Sequence, residues 1–250
     1  MQFKPNKWII SVLIFSVLLG SFIALTSFFR ESLQKIIPIN ISDSIILLIL
    51  YIIQSWFLIL FCWISIKFYL GKTDFKNKLK VFFKESTKKI WAEKFLKYIF
   101  LGIWIYFFVS FILRYLTLKF GLEIPWLFGQ QKSLLMLSTI ELNTVFDYGI
   151  IFLMVVIIWP ILEEIIFRWF VTNILLKNLK IWLWIFFSSL IFTLIHFERS
   201  VFFNIFLLAL ILSRIYYKTK SILCTFWFHF LINLLWFIWL LLIKSLHSLS

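Results

Sequence analysis

The chain has 250 residues, of which 63% are hydrophobic and 22% aromatic, with 33 Phe and 13 Trp. Soluble domains lie nearer half apolar, so this composition excludes a water-soluble globular fold, and only 6 Gly and 4 Pro exclude a loop-rich or disordered chain. The net charge of +14 does not indicate a nucleic-acid partner. Its basic residues sit in short segments between apolar runs, as cytoplasmic flanks of membrane proteins do, and form no basic stripe on a soluble face.

The N-terminal MQFKPNK precedes an apolar run over 8–29. That run exceeds the apolar region of a signal peptide and no A-x-A site follows it, so an uncleaved transmembrane helix is predicted. Further runs of crossing length lie at 45–66, 98–118, 148–176, 181–197, 201–217 and 221–243. The expected fold is all-α, a polytopic membrane protein of seven to eight transmembrane helices, the eighth falling within 119–144. Residues 67–97 carry ten Lys interleaved with Val81, Phe82, Phe83 and Trp91. This pattern predicts a basic amphipathic helix on an anionic membrane face. The chain then divides into N-terminal helices over 1–144 and a helical core over 145–243, without an internal repeat or a separate soluble domain. Cys62 and Cys224 both lie in apolar runs without C-x-x-C spacing, which predicts buried thiols rather than a disulfide or a zinc knuckle.

Seven crossings and a cytoplasmic N-terminus place Lys4, Lys7, the ten lysines of 67–97, Lys177, Lys180, Lys218 and Lys220 inside. Arg30, Lys35, Lys119, Lys132, Arg199 and Lys244 then fall outside. The asymmetry predicts that orientation in the cell membrane.

Of the 11 acidic residues, only Glu163 and Glu164 lie deep in an apolar run, VVIIWPILEEIIFRWFVTNILL. His196 and His229 are also in apolar runs. A charged side chain at such depth costs at least about 3 kcal/mol, and ionisable groups retained there serve a function by default. Helical phase sorts them. Glu164 and Arg168 are at i and i+4, which allows an ion pair that offsets burial. Glu163 is turned about 100° away and faces something else. His229 and Asn233 are also at i and i+4, and Phe192 shares a face with His196 as a packing wall. Counted at 1.5 Å per residue from Lys177, Lys180 and Lys220, Glu163, His196, His229 and Asn233 lie about 21, 24, 13 and 20 Å deep. Tilt and a kink at Pro160 would bring them to one level.

A carboxylate and an imidazole beside one water can deprotonate it, and a neighbouring Asn and His can hydrogen-bond a developing oxyanion. That chemistry is peptide hydrolysis without a covalent intermediate. Glu163, His196 and His229 could equally hold a divalent metal such as zinc, and spacing alone leaves both routes open. There is no H-E-x-x-H, no G-x-S-x-G and no deep Asp, so zincin, serine and aspartyl arrangements fit poorly.

E-E-x-x-x-R (Glu163, Glu164, Arg168), F-x-x-x-H (Phe192, His196) and H-x-x-x-N (His229, Asn233) follow in order on successive segments. Over roughly 145–243 this resembles the CPBP family, the CAAX proteases and bacteriocin-processing enzymes, also called Abi. The resemblance implies an intramembrane endopeptidase acting on a peptide or membrane-protein substrate, metal-dependent or through glutamate alone. By it, Glu163 is the base that activates water, His196 assists, and His229 and Asn233 stabilise the oxyanion. Glu164 and Arg168 are a supporting pair. The chain departs from many relatives in carrying Trp169 where a small residue follows the Arg. A biological role in bacteriocin processing or immunity would fit the group. A proton-coupled transporter, or a non-catalytic immunity or scaffold protein, would use the same polar residues differently.

Overall fold

In a computed structural model of the chain, residues 92–120, 145–172, 179–196 and 202–247 are described, with isolated helical positions at 49, 52, 53, 56 and 60. The predicted crossing at 8–29 and most of that at 45–66, of the basic segment 67–97 and of the 119–144 connection lie outside the described residues. Among those described, every regular element is helical. Helix α1 spans Ala92–Phe120. A continuous motif helix follows, built from α2 (Val145–Ile151), the π-helix π1 (Phe152–Ile158), α3 (Trp159–Glu164) and the π-helix π2 (Ile165–Val171). The bundle is completed by α4 (Ile181–Ile195), α5 (Phe202–Thr219) and α6 (Ile222–His247).

Among the described residues, four segments are long and apolar enough to cross a membrane: Phe95–Leu113, Val145–Arg168, Phe202–Thr219 and Ile222–Ser245. Their apolar runs leave many large side chains exposed, including Trp104, Phe111, Leu235 and Trp239. That surface suits hydrocarbon, where helices satisfy their own backbone hydrogen bonds. The fifth run differs from its sequence expectation. Helix α4 has 15 residues, about 22 Å of helix, which is short of an apolar core roughly 30 Å thick. It stops at His196 (φ −70°, ψ −14°), whose amide bonds back to Thr193 and Leu194. An apolar run shows where a chain can be buried, not where its backbone leaves the helix.

Pro160 explains the shape of the motif helix. In a regular α-helix its ring would press on the carbonyl of Val156 and its missing N–H would break one bond. The backbone widens instead of breaking: Trp159 N–H reaches back five residues to Met154 O. Ile158 (φ −69°, ψ −51°) and Trp159 (φ −60°, ψ −49°) stay helical, so the chain passes through without interruption. The expected kink at Pro160 is thus realised as a π turn. A second widening follows Glu164, where Thr172 Oγ1 donates to Phe167 O, again five residues back.

Helices α1, α5 and α6 share one core. Ile99 and Tyr106 of α1 meet Leu208, Ile211, Leu212 and Ile215 of α5 and Cys224, Phe228 and Ile232 of α6. Gly102 makes this approach possible, since a Cβ there would lie 2.8 Å from the ring of Phe228 and 3.1 Å from Ile211 Cγ2. The turn between α5 and α6 is two residues long. Lys220 takes the left-handed conformation (φ 53°) and its N–H bonds Tyr216 O at 2.7 Å. Ser221 then caps α6, its Oγ accepting from Cys224 N at 3.3 Å. This hairpin fixes α6 antiparallel to α5 and turns His229 towards the motif helix. Helix α6 packs on π1, α3 and π2, and α4 packs on π2 and α5.

Candidate active site

The two carboxylates on α3 have different surroundings. Glu164 is fully buried. Its Oε2 accepts from Arg168 Nε at 3.0 Å, the expected i,i+4 pair. Arg168 is also fully buried and donates through Nη1 to Ser213 Oγ at 3.2 Å. Ser213 in turn shares a 3.3 Å hydrogen bond with Ser189 Oγ. The guanidinium lies 5.6 Å from the Phe192 ring centroid, a cation–π contact. The pair is therefore anchored across π2, α4 and α5 at once.

Glu163 points the other way, as its 100° offset requires. Its Oε2 is 3.5 Å from His229 Nε2 and its Oε1 is 3.7 Å from His196 Nε2. Glu163 is 15% exposed and His196 26%, whereas Glu164 is at 0% and His229 at 3%. The Glu163–His196 side of the cluster is partly open and the Glu164–Arg168 side is closed.

Both imidazoles are held at their other nitrogen. His196 Nδ1 is 2.7 Å from Phe192 O, so the proton on Nδ1 donates to that carbonyl. His229 Nδ1 is 3.1 Å from Glu164 Oε1 and donates to the carboxylate. In each ring Nε2 is thereby aimed at Glu163. His229 bridges the two adjacent carboxylates, one at each ring nitrogen. Phe192 closes the wall behind them, with ring centroids 4.6 Å from His196, 6.1 Å from His229 and 4.8 Å from Phe167.

Of the six residues singled out in the sequence, five converge directly: Glu163, Glu164, Arg168, His196 and His229. Asn233 lies one turn beyond His229 on the same face of α6, but its carboxamide is engaged elsewhere. Its Nδ2 donates to the backbone carbonyl of Val155 in π1 at 2.9 Å. Sequence reasoning did not find the contact of His229 with Glu164, nor the two serines behind Arg168. The signal for the serines was small polar residues inside apolar runs, at Ser189 and Ser213.

Glu163, His196 and His229 carry donor types suited to a divalent ion. Among the described residues, however, no group of three or more His, Cys, Asp or Glu side chains is arranged to hold a metal.

The fold and the site together define an all-helical, multi-pass membrane protein with a carboxylate–imidazole cluster inside its bundle. Residues 146–235 match the family model described as type II CAAX prenyl endopeptidase Rce1-like, a stretch that includes all six residues above. The match agrees with the CPBP resemblance of the motifs and, at family level, points to a CAAX protease-like peptidase. No curated protein and no solved structure matches the chain.

Proposed function

We propose that the chain is an intramembrane endopeptidase in which Glu163 activates the attacking water. The observation that carries this reading is the position of the Glu163 carboxylate, partly exposed and faced by Nε2 of both His196 and His229 at 3.7 and 3.5 Å. Separations slightly beyond hydrogen-bond length leave the three groups free to share a water rather than to satisfy one another.

In the proposed step, Glu163 takes a proton from water, with His196 assisting. The hydroxide oxygen bonds the scissile carbonyl carbon. The resulting oxyanion faces His229 and the second N–H of Asn233. The C–N bond then breaks and the amine leaves with the proton held by the Glu163–imidazole set. Glu164 keeps His229 oriented through Nδ1, and Arg168 balances the charge of Glu164. By the family resemblance, the substrate is a membrane-associated peptide, prenylated or not, and the setting is bacteriocin processing or immunity.

The test is a comparison of membrane peptides in cells expressing the wild type or Glu163→Gln. Peptides that accumulate uncleaved only with Glu163→Gln support the proposal. Identical peptide sets, together with retention of the protein's biological effect by Glu163→Gln, would sink it.

A further inference from the structure

The hydrogen bond from Asn233 to Val155 has a physical origin in Pro160. In an α-helix the carbonyl of Val155 would accept from Trp159 N–H, but in π1 that N–H goes to Met154 O. In continued π geometry it would accept from residue 160, which is proline and has no N–H. No helical backbone donor is left for Val155 O in either register. Asn233 Nδ2 supplies one at 2.9 Å, from a different helix. A carbonyl within a membrane-spanning helix needs such a partner, because the bilayer core offers no water to solvate it.

The location of that bond gives it leverage. The π turn inserts one residue relative to an α-helix, between Phe152 and the acidic pair. Relaxing it to α geometry would rotate everything beyond it by about 100° and push it on by about 1.5 Å. A rotation of that size takes Glu163 off His196 and His229 and Glu164 off His229 Nδ1. The partnering of the carboxylates therefore depends on the register of π1.

We propose that Asn233 is a positioning residue which, by capping the Val155 carbonyl orphaned by Pro160, locks the π register of the motif helix and so sets the angle of Glu163 and Glu164 against the two histidines. The assignment is separate from any contact of the carboxamide with an oxyanion. Its consequence for cleavage rests on the peptidase reading above, but the register itself can be measured without any substrate.

Two aromatic contacts bracket the lock. Phe152 and Phe237 meet before it, with ring centroids 5.6 Å apart, and Phe167 and Phe192 meet after it, at 4.8 Å. In a background carrying C62A and C224A, the pairs F152C/F237C and F167C/F192C are treated in membranes with a short bifunctional thiol cross-linker. Each yield is compared between Asn233 and N233L. The proposal expects a several-fold fall for the 167/192 pair with the 152/237 pair unchanged. Equal yields in both backgrounds for both pairs overturn it. Should N233L abolish both yields by misfolding, N233A decides, since it removes the amide donor without adding bulk. The 167/192 to 152/237 ratio must then fall, and an unchanged ratio overturns the proposal. Cleavage by N233L, assayed alongside, is expected to drop on the order of a hundredfold, as angstrom-scale misplacements do. A ratio that falls in N233L while the Asn233 chain itself cleaves no peptide would defeat the peptidase reading and leave the lock standing. A chain that cleaves but keeps its ratio would do the reverse.

Discussion

Glu163 and Glu164 are neighbours in the chain and lie about 100° apart around one helix, and we propose that this angle separates reaction from support. Glu164 is fully buried and held by Arg168 Nε at 3.0 Å and His229 Nδ1 at 3.1 Å, whereas Glu163 is partly exposed with two unsaturated imidazole contacts. Removing the counter-charge from a fully buried ion strands the partner. Arg168→Ala is therefore expected to destabilise the protein by about 3–5 kcal/mol, read as a lower thermal unfolding midpoint in detergent. Arg168→Lys will recover only part of this, because lysine lacks the fork that reaches Glu164 and Ser213 together. An unfolding midpoint for Arg168→Ala within error of wild type would refute the anchoring role. The Glu164–Arg168 pair was legible in the sequence because i,i+4 spacing is a property of one helix. The contact of His229 with Glu164 was not, because it depends on how α6 seats against α3, and no single-helix periodicity encodes that.

At the scale of elements, close approach and register do the positioning. Gly102 lets α1 lie against α5 and α6, and Phe228, which it touches, precedes His229. Gly102→Ala puts a methyl group into the Phe228 ring. An overpacking cost of about 1–3 kcal/mol is expected, with lost cleavage as His229 is displaced. Phe228→Leu should restore part of both, and a Gly102→Ala variant with unchanged unfolding would refute the close approach. The helical character of the runs from 98 to 243 follows from length and hydrophobicity and was readable in advance. The widening at π1 was not. Proline signals a disturbance, but whether the chain answers by kinking or by a π turn depends on partners such as Asn233 on another helix. The end of α4 at Ile195 was close to legible, since its apolar run is closed by Glu198 and Arg199.

At the scale of the whole molecule, the basic residues mark one end of the bundle. Lys180 precedes α4, while Lys218 and Lys220 close α5, and Tyr217 is flanked by Arg214 at 5.8 Å, Lys218 at 5.9 Å and Lys220 at 4.7 Å. Cations around an aromatic ring at a helix end suit the headgroup region of an anionic leaflet. We therefore propose that this end is cytoplasmic and that α6 carries the chain to the other face. Single cysteines at positions 218 and 245, in a background lacking native thiols, should be labelled by a membrane-impermeant maleimide from opposite sides, 218 from the cytoplasm. Labelling of both from one side would contradict this topology. Charge asymmetry is what supplies the expected orientation. The count of crossings was readable only as seven to eight, because hydrophobicity alone cannot tell an interfacial helix from a crossing over 119–144.

The division of roles between the adjacent carboxylates is the centre of the account, and one paired measurement addresses it most directly. Wild type, Glu163→Gln and Glu164→Gln are purified into liposomes. Cleavage of a membrane-peptide mixture and thermal unfolding are recorded on the same samples. The account predicts that Glu163→Gln loses cleavage by about 10²–10⁴-fold while unfolding near the wild-type temperature, and that Glu164→Gln unfolds well below it. Sustained cleavage by Glu163→Gln, or wild-type unfolding of Glu164→Gln, would contradict it.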